Sequence, residues 1–142
     1  MTIKPYGYLR VVIFALLYLM IVSNGLKMIG KYIYITEFSI LMTCFMPYSQ
    51  EGTLIATLHV IVAYLSFCIL TISHLYAIYL LYFNDPKRSK ICFYLLFCVL
   101  LCIFILYLYF MGINGLMELI YLSGLIIISF IIETSCARIS TL

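Results

Sequence analysis

Two histidines and one aspartate are the side chains in this sequence whose placement could do chemistry. His59 and His74 both fall inside one long apolar run, and Asp85 follows at its end. An ionisable group within a membrane span is costly and generally marks an ion path, a proton relay or a cofactor site. Neutral imidazole is also a standard axial ligand of haem iron. His74 is the stronger candidate, about 14 Å inside the end of its run at Phe83. Asp85 comes eleven positions after His74. Eleven residues advance a helix by three turns and about 20°, so the two share a face about 16 Å apart if the helix continues to Asp85. His59 precedes His74 by fifteen positions. That is about 22 Å along the axis and about 60° around it, an indifferent register for two stacked haems.

A bis-histidine haem needs a ligand on each side of the ring, and one helix cannot supply both. A haem at His74 therefore requires a histidine from another chain. The competing readings are a hydrogen bond from His74 to a neighbouring helix, and a proton or quinone role. Ala63, Ser66, Leu70 and Ala77 lie on the same face. Small residues there admit close approach by a helix or a flat cofactor. Ser66, Thr71 and Ser73 can each return a hydroxyl to the carbonyl four residues back.

The elements that carry these residues follow from composition. Of 142 residues, 67% are hydrophobic and 9% charged, and the mean hydropathy is +1.23. Soluble domains carry about 25% charged residues. The class is an all-α integral membrane protein, and the length fits about four spans of ~20 residues each. No room remains for a soluble catalytic domain. The eight basic residues are scattered, which argues against nucleic acid as a partner. Six cysteines show no C-x-x-C spacing and read as small apolar packers. Trp is absent beside 14 Tyr, so Tyr is expected to take the interfacial role.

Four transmembrane helices are expected at about 9–29, 53–83, 91–111 and 116–132, in one membrane domain over 1–142. A signal peptide ending near Ser23-Asn24-Gly25 competes for the first run. A short apolar stretch at about 38–46, between Glu37 and Pro47, is too short to span and is expected at the membrane surface. The segment 84–90, with Pro86, is a polar loop. Its Lys87, Arg88 and Lys90 place it on the cytoplasmic or matrix side. Four spans then put both termini on that side, where Lys4, Arg10 and Arg138 agree, and Lys27 and Lys31 do not.

The stretch from Ser73-His74 to Asp85 resembles the membrane-anchor subunits of succinate dehydrogenase (respiratory complex II), the smaller anchor in particular. The polar start at Glu51-Gly52-Thr53, the basic loop after Asp85 and the span closing near Gly112 are similar as well. In that family a histidine of the second span binds haem b, and an Asp-Tyr pair eleven positions on lies beside ubiquinone. The resemblance implies haem binding at His74, as ligand to the haem iron, and quinone binding at Asp85. Here Ile78 stands at the family's glycine and Pro86 at its tyrosine, so Tyr82 or Tyr79 would substitute as hydrogen-bond donor. The resemblance covers roughly 51–112. It implies a second anchor chain sharing the haem, an iron–sulfur subunit and a flavoprotein subunit as partners, with lipid around them. The mitochondrial inner membrane is favoured over a bacterial plasma membrane.

Two functions follow. One is an anchor subunit of succinate:ubiquinone oxidoreductase, contributing to haem b and ubiquinone binding during electron transfer. The alternative is a structural accessory subunit of a larger respiratory-chain complex with no cofactor of its own. In either, the chain is at most a non-catalytic or quinone-site subunit of an enzyme. A four-span proton-coupled transporter is a third class. It wants a carboxylate in the first span, and Val11 to Val22 contains none.

Overall fold

The computed structural model describes residues 5–45, 54–111 and 115–139. Glu51, Gly52, Thr53 and Gly112, part of the resemblance above, and Lys4 lie outside them. Five α-helices follow in order: α1 (Pro5–Leu26), α2 (Ile33–Phe45), α3 (Leu54–Tyr82), α4 (Pro86–Phe110) and α5 (Gly115–Ile139). A 3-10 turn at Lys27–Tyr32 joins α1 to α2, and no strand occurs among the described residues. The chain is an all-α integral membrane protein. Within the described residues α3, α4 and α5 are long and apolar enough to cross a bilayer. With 22 residues, α1 reaches about 33 Å, also a spanning length. The short element between the first two spans is present as α2, 13 residues long.

The boundaries shift where capping overrides composition. Asp85 and Pro86 begin α4 five residues ahead of the expected Ile91. The Asp85 side chain accepts a hydrogen bond from the Arg88 backbone N–H, with Pro86 in the first turn. Proline is pre-organised for that position and lacks the N–H that would go unpaired there. The polar loop thus shrinks to Phe83–Asp85, and the continuous helix needed to put His74 and Asp85 on one face is absent. At the other extreme α5 runs to Ile139, seven residues past the expected end. Met111 closes α4 in the left-handed conformation.

Contacts fix the direction of each helix. Phe67 of α3 stacks on Tyr121 of α5 at 4.3 Å between ring centroids, and His74 reaches Ser129. These two helices therefore run parallel. In α1, Tyr18 lies near Tyr121 and Gly25 packs on Ser129, so α1 runs parallel to both. The short α2 runs back along α3: Tyr32 meets Tyr76, Thr36 bonds Ser73, and Ser39 bonds Ser66. The reversal sits at Gly30, at φ 61° and ψ −134°. That backbone conformation is essentially confined to glycine.

This overturns the expectation that both termini share one side. The start of α1 lies at the opposite end of the bundle from the end of α5, not at the same end. Lys27 and Lys31, discordant in the sequence, now join Lys87, Arg88 and Lys90 at one end. That end is the basic end of the bundle among the described residues.

The core is a seam between α1, α3 and α5. Val22, Leu26, Leu70, Ala77, Leu81, Leu125, Ile128 and Ile132 are buried in it. Close approach depends on two glycines. A Cβ at Gly25 would lie 2.5 Å from the Ser129 side chain, and one at Gly124 would lie 2.5 Å from Val99. Small residues at such crossings are the usual device of membrane helix packing.

Candidate functional site

His74 stands at the centre of that seam. Its neighbours on α3, at positions 66, 70, 77, 78 and 81, are all buried, so helical periodicity turns the imidazole into the bundle. It is fully enclosed. Nδ1 lies 2.8 Å from the Leu70 carbonyl, and Nε2 lies 3.0 Å from Ser129 Oγ. A carbonyl only accepts, so Nδ1–H donates to Leu70 and Nε2 accepts from the Ser129 hydroxyl. Both ring nitrogens are spent inside the chain.

These surroundings do not fit a haem. An iron ligand needs a ring nitrogen directed into open space beside a macrocycle, and here Nε2 meets α5. Ile78, buried beside the next turn, further closes the approach. Among the described residues no group of three or more His, Cys, Asp or Glu is placed to hold a metal ion.

Several other intramembrane polar groups follow the same rule, although the buried Tyr18 hydroxyl has no partner among the described residues. The Tyr121 hydroxyl donates to the Phe67 carbonyl at 3.0 Å and lies 2.8 Å from the Thr71 hydroxyl. Thr71 makes the expected bond to its own helix, to Phe67 O at 2.9 Å. Ser66 and Ser73 do more than that. Ser66 donates to the Ser39 carbonyl of α2 at 2.8 Å, and Ser73 pairs with Thr36 at 2.7 Å. Ser89 of α4 donates to the Ile78 carbonyl of α3 at 2.8 Å. Apart from the Thr71–Phe67 bond, each ties one helix to another, at an expected ~0.6 kcal/mol apiece in a membrane interior.

Asp85 is similarly engaged. Besides capping α4, its carboxylate lies 3.5 Å from Arg88 Nε. The Arg88 guanidinium donates in turn to Thr134 Oγ1 at 3.2 Å and Ser135 Oγ at 3.1 Å. This clamp fastens the α3–α4 turn to the last turns of α5. It does not bring Asp85 to His74 or to Tyr82.

Tyr82, half-exposed, stands elsewhere. It lines an open groove of about 390 Å³ between α3 and α4, together with Leu75, Ile78, Tyr79, Lys90 and Phe93. His59 is only partly buried, and it keeps a partner within the chain. The three residues singled out by the resemblance therefore occupy three separate settings: a helix seam, a turn clamp and a lateral groove. Sequence reasoning missed Ser129, Thr36, Tyr121 and Arg88. For Ser129 and Tyr121 the signal was a polar residue inside an apolar run, which names a contact without naming its partner, while Arg88 stood in the polar loop and was read for orientation alone.

No protein-family model matches this chain, and neither a curated protein nor a solved structure matches it.

Proposed function

We propose that this chain is a structural accessory subunit of a larger membrane complex and carries no cofactor of its own. One observation carries the reading: His74, the only histidine deep in the seam, commits both nitrogens to Leu70 and Ser129. The residue best suited to hold a cofactor holds two helices together instead. The respiratory setting and the mitochondrial inner membrane rest on the resemblance of residues 51–112 to complex II anchors.

A second reading keeps the anchor function without haem at His74. It is favoured by Tyr82 lining a groove with Tyr79 and Lys90 at the basic end of the bundle, the side on which complex II anchors hold ubiquinone. Asp85 would then act by fixing the turn beside the groove. The partners in that reading are a second anchor chain, an iron–sulfur subunit and a flavoprotein subunit.

The experiment is isolation of the intact assembly through a tag on this chain, with identification of the copurifying chains. Reduced-minus-oxidised spectra of wild type and His74→Gln accompany it. Other membrane subunits, and a b-type absorbance unchanged by the substitution, are expected. A flavoprotein and an iron–sulfur protein in the isolate, with a b-type band shifted or lost in His74→Gln, would overturn the accessory reading and restore the haem-bearing anchor.

A further inference from the structure

The groove between α3 and α4 has a polarity gradient that a helix seam does not need. Its α3 wall is Leu75, Ile78, Tyr79 and Tyr82, a stripe at helical spacing. Its α4 wall is Ser89, Lys90, Phe93 and Tyr94. The floor is fixed where Ser89 donates to the Ile78 carbonyl. The end near the bundle's basic rim carries Lys90 and Tyr82. Leu75 lies seven residues before Tyr82, about 10 Å deeper along α3.

Lys90 is the sole charged side chain lining this groove. No ion pair or hydrogen bond engages it among the described residues, while Asp85, the nearest carboxylate in sequence, is taken up by Arg88. Lys87 is exposed three positions earlier, and residues three apart on a helix are neighbours. Lys90 thus stands on the wall of an open aromatic cleft, with Lys87 one turn nearer the start of α4. The Tyr79, Tyr82 and Tyr94 hydroxyls make no hydrogen bond within the described residues, so each is available to an outside acceptor.

We infer that this groove is a binding site for one anionic phospholipid of the cytoplasmic or matrix leaflet. The phosphate meets Lys90, with Lys87 adding charge at the rim. Tyr82 and Tyr79 supply donors to phosphate or glycerol oxygens. The start of one acyl chain lies along Leu75, Ile78 and Phe93. Charge selects the occupant: a zwitterionic lipid returns its own cation to the rim, and a quinone head offers Lys90 no anion. The inference does not rest on the accessory-subunit reading, and it competes with the quinone-holding second reading for the same groove.

The test uses the full chain in mild detergent, titrated with phosphatidylglycerol or phosphatidylcholine, the bound lipid being counted by native mass spectrometry. One phosphatidylglycerol is expected to bind in preference to phosphatidylcholine. Lys90→Gln is expected to weaken it about five-fold, in line with the contribution of one lysine near an anionic surface. Lys27→Gln, at the same end but outside the groove, leaves the affinity unchanged. Equal binding of the two lipids, or equal loss in Lys27→Gln and Lys90→Gln, overturns the site. So does displacement of the lipid by equimolar inorganic phosphate, which would mark a free-anion site, or by ubiquinone, which would mark a quinone cleft. Lys90 is exposed, so unchanged thermal unfolding of Lys90→Gln is the check that the variant folds.

Discussion

The last two helices make an instructive pair. Each has 25 residues, and the most apolar stretch of α4 is more hydrophobic than that of α5. Yet only 11% of the α4 stretch is buried, against 39% for α5. In water the ranking would be reversed, because burial follows hydrophobicity. In a bilayer, lipid tails satisfy Leu and Phe as well as a neighbouring helix does. Helices are therefore held by close backbone approach and by polar groups that need partners. α5 brings Tyr121, Gly124, Ser129 and Ser135 to its contacts, whereas the buried residues of α4, Ser89, Cys92 and Leu96, lie in its first half, with Val99 meeting Gly124 beyond them. Its Phe93, Phe97, Leu101, Phe104 and Leu108 stay exposed, as a lipid-facing side should.

The most forceful way to break this contrast is at the α1–α5 crossing. Gly25→Leu inserts a side chain where even a Cβ would meet Ser129 at 2.5 Å. A loss of about 3 kcal/mol is expected from overpacking, read as a fall in the thermal unfolding midpoint of the detergent-solubilised chain. A gentler break is Ser129→Ala, which removes the donor to His74 Nε2 and should cost about 1 kcal/mol by the same measurement. A loss near zero would mean that the imidazole is satisfied without α5. Sharpening the contrast requires a change on α4's outer face. Phe97→Leu, at a position 57% exposed, is expected to stay within about 0.5 kcal/mol of wild type. A large effect there would show that α4 has a protein neighbour and not lipid.

These particulars also explain how much the sequence could disclose. Four long helices and one short one were readable from apolar run lengths, because a bilayer fixes the length of what crosses it. The start of α4 was misplaced because Asp85-Pro86 looks like a loop by composition and acts as a cap by geometry. The path of the first third was hidden for a different reason. Direction depends on the backbone of a single residue, Gly30, and on Ser66 and Ser73 finding partners about 27 and 37 positions away. His74 was recognised as the unusual polar group of α3, yet its role hinged on Ser129, 55 positions later. Periodicity assigns a face to a residue without saying what lies opposite.

The reversal at Gly30 also bears on how the protein enters its membrane. With about 20 Å of length, α2 falls short of a stable span, so the insertion machinery has little reason to retain it. Its anchorage comes from Ser66, Ser73 and Tyr76, all on a helix translated later. The N-terminal hairpin therefore has to wait for α3 before it can settle. α2 is in that sense a passenger of α3, because the contacts that hold it form only with a helix made after it.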